Sequence, residues 1–459
     1  MNIYQTEFAY FIGAGGIGMS ALIRYFLSKG IEVAGYDKTA SPLTEQLKNE
    51  GVFIHYEDDI LLIPKNFKNP KKTLVVYTPA VPDTLTELTF FKEKGFEVLK
   101  RSEVLGLITE AERSLCIAGT HGKTTTSTMT AHILKQSRMA CNAFLGGISK
   151  NYGSNFILSE HSPLTVIEAD EYDRSFHRLT PYMALITSAD PDHTDIYATP
   201  EAYRESFEQF TSLVRPGGAL IMKSGIAVTP RLQDNVRFYT YSATDEDADF
   251  HARQIRIGNG EIVFDFVGPS MQITDIQLGV PVQINIENGV AAMALAWLNG
   301  VSIKEIRDAM KTFAGVERRF DFILKKDNVV LIDDYAHHPE ELKNCIKSVR
   351  LLYEGRKITG IFQPHLYTRT RDLADAFAES LSLLDELILL DIYPAREEPI
   401  PDVTSQLILD RVTIPDKKLC TKETLLDVIA AGTYEVVLTL GAGDIDRMVE
   451  PIKEILERK

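Results

Sequence analysis

The sequence predicts an α/β fold built from several domains, and three observations carry that prediction. Apolar runs recur along the chain, each followed by a glycine-rich or acidic loop and then an amphipathic stretch, which is how a βα unit reads in sequence. The chain has 459 residues, more than one hydrophobic core usually organises, so about three domains of roughly 150 residues are expected. It is 44% hydrophobic and 25% charged, ordinary values for globular proteins, so each domain can bury a sizeable core.

Taken in order, Phe8 to Ile12 forms the first apolar run and enters Gly13-Ala14-Gly15-Gly16-Ile17-Gly18. A helical stretch to Lys29 follows, and Val33 to Tyr36 reads as the next strand. The second segment starts near Leu115-Cys116-Ile117-Ala118, enters Gly119-Thr120-His121-Gly122-Lys123-Thr124-Thr125, and continues as a helix to about Lys135. The third has Val329 to Ile332 leading into Asp333-Asp334-Tyr335-Ala336-His337-His338-Pro339, and Val436 to Leu440 leads into Gly441-Ala442-Gly443-Asp444. Domain boundaries are expected near 112 and 321, with no low-complexity linker marking either.

A net charge of -15 would repel a phosphate backbone or an anionic membrane, which argues against general nucleic-acid or membrane-surface binding. Cys116, Cys141, Cys345 and Cys420 form no CxxC pair, so neither a disulfide framework nor a zinc cluster is suggested. No signal-peptide pattern or membrane-length apolar run is found, and a soluble, unprocessed, cytoplasmic chain is expected.

Two loops carry phosphate chemistry. Gly13, Gly15 and Gly18 lie between a strand and a helix, where backbone can approach a diphosphate at the helix N-terminus. Asp37 lies at the end of the next strand, so local grammar alone would suggest a dinucleotide. In the 119–125 loop, backbone N–H groups surround phosphate oxygens, Lys123 adds charge and the Thr124 hydroxyl can ligate Mg²⁺. Ile117 stands where the first glycine of GxxxxGK[ST] belongs. Thr165-Val166-Ile167 then enters Glu168-Ala169-Asp170-Glu171, placing hard oxygen ligands beside this loop.

The form GTHGKTTT resembles the loop of Mur ligases and the related folylpolyglutamate synthetases. FIGAGGIGMS, AGTHGKTTT, EADEYD, DPDHTDIY, ERRF, DDYAHHPEE, FQPHLYTRTRDL and LGAGD occur in the family's order across residues 11–444, and on that agreement the chain is identified as a member of the Mur ligase family. The resemblance implies a three-domain architecture: a Rossmann-like domain over 1–112 that binds a UDP-sugar, a central P-loop ATPase domain over 113–321, and a C-terminal Rossmann-like domain over 322–459 that binds the amino acid. It further implies ATP- and Mg²⁺-dependent ligation of L-alanine to the lactyl carboxylate of UDP-N-acetylmuramate through an acyl phosphate, in peptidoglycan precursor synthesis. A family member that adds a peptide to the same sugar is the alternative, and GGIGMS favours alanine.

Under this resemblance Gly13, Gly15, Gly16, Ile17, Gly18, Asp37 and Thr78 would serve the UDP-sugar, with the diphosphate in the first glycine loop and Asp37 either on the uridine nucleotide or bracing structure. Gly119, Thr120, His121, Gly122, Lys123, Thr124, Thr125, Asn288 and Arg319 would bind ATP. Thr124, Glu168 and His193 would hold metal, with Lys123, Glu168, His193, His337 and Arg369 as catalytic groups. Tyr335, His337 and Arg369 would surround the incoming amino acid; otherwise His337 caps the helix after Pro339 and Arg369 forms a surface pair. Ile284 and Leu366 depart from a histidine and an arginine common in the family.

Overall fold

The computed structural model describes residues 6–459, except 160, 192–195, 259 and 396. The chain is α/β throughout, with three sheets in sequence. The first has the strand order Phe53–His55, Glu32–Tyr36, Phe8–Ile12, Thr73–Tyr77 and Glu97–Lys100, all parallel. Residues of Phe8–Ile12 are apolar on both faces because helices cover a parallel sheet on both sides. Phe11 packs with Leu22 and Phe26 of the helix Ile17–Ser28, whereas Tyr10 and Ile12 pack with Phe67, Leu88 and Phe91.

The second sheet has ten strands. At its centre Met183–Ile186, Arg113–Ala118 and Leu164–Glu168 lie side by side and parallel, so their carboxyl ends open at one edge. The third sheet has six strands, with the antiparallel Asp321–Lys325 at one edge and Val330–Asp334, Val436–Leu440 and Ile358–Phe362 parallel and adjacent. The expected strands therefore form within a residue or two of their predicted spans. The long run of strands over Ala219–Gln277 went unread, because its alternating polar faces lack a motif to announce them.

The described chain divides into two compact units. One comprises residues up to 253 with 265–276 and 287–313, and the other comprises 254–264, 277–286 and 314–459. The first sheet and most of the second share the first unit, where one apolar core runs from Phe11 and Phe26 to Phe144, Ile167 and Phe176. The buried Asn155 side chain adds polar contacts there: its Oδ1 accepts from Arg24 Nη1 at 2.5 Å, and its Nδ2 donates to Ile17 O at 2.5 Å and Ser20 Oγ at 3.0 Å. No helix among the described residues is long and apolar enough to cross a membrane.

Candidate active site

In the first sheet the order reverses at Phe8–Ile12, whose neighbours are Glu32–Tyr36 and Thr73–Tyr77, and such a switch point opens a crevice beyond the strand ends. Gly13 N and Ala14 N donate to Tyr36 O at 2.8 and 3.0 Å, and Thr78 N donates to Ile12 O at 3.3 Å. Gly15 N donates to Asp37 Oδ2 at 2.7 Å, while Asp37 Oδ1 accepts from Thr39 N at 3.0 Å. Asp37 thus braces the loop with both oxygens. The helix Ile17–Ser28 starts at Gly16 without a side-chain cap, which leaves its first N–H groups for an anion.

The second loop leaves Arg113–Ala118 and turns at Gly119, whose φ is +138°. A side-chain carbon there would crowd Ser188 N at 2.8 Å, so glycine is required by space as well as by φ. Gly122, with φ +81°, starts the helix Lys123–Lys135, again without a side-chain cap. The Ile117 departure has a structural reason: the residue is buried and registered between Leu185 and Glu168 inside the sheet, so the turn begins two residues later. Ser188 Oγ accepts from His121 N at 2.9 Å, Thr187 Oγ1 donates to His121 O at 2.5 Å, and Thr120 Oγ1 donates to Asp190 O at 2.7 Å. Asn288 is buried at the back of the loop, its Oδ1 accepting from Thr126 Oγ1 at 3.2 Å.

Lys123 Nζ donates to Gly119 O at 2.6 Å and to Glu171 at 2.8 Å. That buried carboxylate is the one the sequence reading passed over in favour of Glu168. Thr124 Oγ1 donates to Glu168 Oε1 at 3.1 Å, and Gly146 N donates to Glu168 Oε2 at 3.0 Å. A hydroxyl beside one carboxylate, completed by phosphate oxygens and water, suits Mg²⁺, which takes oxygen ligands and retains water. No group of three His, Cys, Asp or Glu among the described residues could hold a metal by itself. His193 lies outside the described residues.

The third cluster forms where Val330–Asp334 and Ile358–Phe362 end. The Tyr335 ring lies 5.2 Å from that of His337, and the guanidinium carbons of Arg318 and Arg319 lie 5.1 and 5.4 Å from the Tyr335 centroid. His337 Nδ1 is 3.0 Å from Tyr335 O, and burial, helped by the Arg369 charge, lowers the imidazole pKa against the pull of Glu341. His337 is accordingly neutral near pH 7. Capping of the helix Pro339–Leu352 falls to His338, whose Nδ1 accepts from Glu340 N at 3.4 Å, and not to His337. Arg369, on the short helix Tyr367–Asp372, has a buried Nη1 without a hydrogen-bond partner among the described residues, unlike a surface pair. A buried unpaired donor costs about 1–3 kcal/mol, which an incoming carboxylate would recover.

Leu366, the arginine departure, precedes that helix with φ +70°, a conformation disfavoured for a branched side chain. Ile284, the histidine departure, is exposed at the start of Ile284–Leu298. Sequence reasoning also missed Thr187, Ser188 and the half-buried Asp334, whose carboxyl desolvation pushes up to about 6 while Arg319 opposes it. Asp334 accepts from Phe320 N at 2.7 Å and Ala336 N at 2.8 Å, tying the ERRF and DDYAHH segments together. The adjacent acids Asp333 and Asp334 were the available signal.

Three family models match in sequence: "Mur ligase family, catalytic domain" over residues 9–113, "Mur ligase middle domain" over 117–296, and "Mur ligase, glutamate ligase domain" over 318–443. Among curated relatives, the chain is 70% identical to UDP-N-acetylmuramate–L-alanine ligase of Parabacteroides distasonis, covering 99% of this chain and 98% of that one. It is 61% identical to the enzyme of the same name from Phocaeicola vulgatus, with full coverage of both. Among solved structures, UDP-N-acetylmuramate-alanine ligase of Thermotoga maritima superposes with a TM-score of 0.81 at 28% identity, covering 98% of each chain. A murein peptide ligase from Psychrobacter arcticus shares the fold with a TM-score of 0.66 at 20% identity, covering 98% of each chain.

Proposed function

The chain belongs to the Mur ligase family, and from that premise we propose that it joins L-alanine to the lactyl carboxylate of UDP-N-acetylmuramate at the expense of ATP, in peptidoglycan precursor synthesis. The observation that carries this reading is the 70% identity to the alanine ligase over nearly the whole of both chains. We assign residues 1–112 to the nucleotide sugar, 113–321 to ATP and 322–459 to the amino acid. The substrates are those of cytoplasmic metabolism, and the four buried, unpaired cysteines suit a reducing compartment.

A carboxylate is a poor acyl donor because oxide is a poor leaving group. The lactyl carboxylate oxygen attacks the γ-phosphorus of ATP, the bond to ADP breaks, and an acyl phosphate results. Gly119 to Thr125 cradle the phosphates through backbone N–H groups, and Lys123 neutralises the charge that develops in transfer. Asn288 fixes the back of this loop, and Arg319 serves the adenosine end. Thr124, Glu168 and His193 would hold Mg²⁺, which when bound supplies positive charge to the phosphate oxygens. Gly13, Gly15, Gly16, Ile17 and Gly18 receive the diphosphate of the sugar nucleotide, with Asp37 and Thr78 shaping the loop.

In the second half-reaction the uncharged alanine amine attacks the acyl carbonyl, and phosphate leaves as the tetrahedral adduct collapses. Arg369 pairs with an anionic oxygen, while Tyr335 and the neutral His337 border the amine. A neutral imidazole can accept a proton from that amine where an imidazolium could not.

Mass spectrometry of a reaction containing UDP-N-acetylmuramate, ATP, Mg²⁺ and L-alanine tests the assignment. The expected product is the alanyl conjugate, formed with one ADP per amide. A product only with peptide acceptors, or ATP hydrolysis without any conjugate, would overturn it.

A further inference from the structure

A cleft in the first unit joins the glycine loop to the strand-end acids, and it contains one cation that none of the roles above employs. Ile17, Gly18, Arg101, Gly146, Glu168 and Asp170 are among the residues lining it. Arg101 begins the helix Arg101–Ala111, and its side chain is 20% exposed. Nη2 donates to Asp170 Oδ2 at 3.3 Å, and the other guanidinium donors have no hydrogen-bond partner among the described residues. A side-chain carbon at position 18 would stand 2.7 Å from Arg101 Nη1. Glycine there lets the guanidinium lie against the start of the helix.

Charge decides what this arrangement can accept. Glu168 and Asp170 already line the cleft, so a further carboxylate entering between them meets two like charges unless a cation accompanies it. Lys123 is committed to Glu171 and the phosphate loop, and Gly146 N is taken by Glu168. The diphosphate has its own donors in the uncapped helix start after Gly16. Arg101 is the one cation among the lining residues, and a planar guanidinium matches a carboxylate with two parallel hydrogen bonds.

We propose that Arg101, held in place by Asp170, receives the lactyl carboxylate of the nucleotide sugar and orients it for attack on the γ-phosphate. This rests on the ligase reading and adds a residue that reading did not assign.

Calorimetric binding of two ligands tests it: UDP-N-acetylmuramate, and UDP-N-acetylglucosamine, the same nucleotide sugar without the lactyl carboxylate. Arg101→Met should weaken the first roughly 10- to 100-fold and leave the second almost unchanged. Arg101→Lys, which keeps the charge but loses the fork, should fall between Arg101→Met and wild type. Preserved affinity for the second ligand also reports an intact fold. Equal weakening of both ligands would make Arg101 a diphosphate contact and overturn the proposal, as would unchanged affinity for both. Wild-type protein that binds neither ligand would overturn the ligase reading itself.

Discussion

The glycine loops of the first and second sheets share a backbone plan and differ in what surrounds it. Each follows a central parallel strand and ends on a helix that no side chain caps, starting after Gly16 in one case and Gly122 in the other. Around the first loop the bracing side chain is an acid, Asp37, whose oxygens accept from Gly15 N and Thr39 N. Around the second, Lys123 is drawn across the loop mouth between Gly119 O and Glu171. The lesson is that uncapped N–H groups suit both loops to an anion, while under the proposed ligase reading the side-chain charge would sort a ground-state diphosphate from a phosphoryl group in transfer.

That contrast breaks most visibly at Lys123. Lys123→Ala should reduce ligation about 10²–10³-fold, because the cation acts where charge develops, and calorimetric UDP-sugar affinity should remain near wild type. Near-normal phosphate release would sink the assignment.

Arg369 extends the comparison to the third sheet, where a half-buried guanidinium on the short helix Tyr367–Asp372 supplies the cation. Arg369→Ala should leave ATP and UDP-sugar affinities intact and slow single-turnover amide formation by about 10²-fold, as expected of a contact made mainly in the transition state. A rate equal to wild type would return Arg369 to an ordinary surface role.

At the first loop, Asp37→Ala removes the acceptor that holds Gly15 N, and the expected cost is a rise of about tenfold in KM for the UDP-sugar with KM for ATP unchanged. Parallel rises in both constants would show that Asp37 maintains the fold generally.

The last effect, on stability and not on turnover, concerns two titratable groups buried in the first unit. His132, near the end of the helix Lys123–Lys135, is pushed down to about 4 by burial and stays neutral at working pH. Glu87, at the start of the helix Thr86–Glu93, is pushed up to about 7 by burial, against the hydrogen bond from Tyr10 at 2.6 Å. An unfolded glutamate titrates near about 4.3, so between that pH and 7 the folded chain binds more protons and stability falls as pH rises. Glu87→Gln should therefore match wild type in stability below about pH 4 and exceed it by about 3–4 kcal/mol above pH 7. Chemical denaturation at both pH values measures the difference, and a pH-independent difference would contradict it.

Local grammar alone was ambiguous at Asp37, where strand-end position suggested a ribose ligand. Its two backbone hydrogen bonds are a tertiary fact, set by the reach from Glu32–Tyr36 to the neighbouring glycine loop. Glu168 and Glu171 stand three residues apart in one acidic run, and nothing in their order distinguishes a partner of Thr124 from a partner of Lys123. The turn after Leu164–Glu168 makes that distinction by burying Glu171 under the loop. Arg101 carried no motif, and only the cleft singles it out.

The sequence by itself determined the strand–loop–helix units and the family, and it is the source of the phosphate role proposed for Gly119 to Thr125, because each depends on residues adjacent in the chain. Only the tertiary structure decided which acids face which cations, why His337 is neutral, and which guanidinium borders the cleft. Those properties depend on burial and on distances between strand ends that parallel pairing, not chain order, brings together.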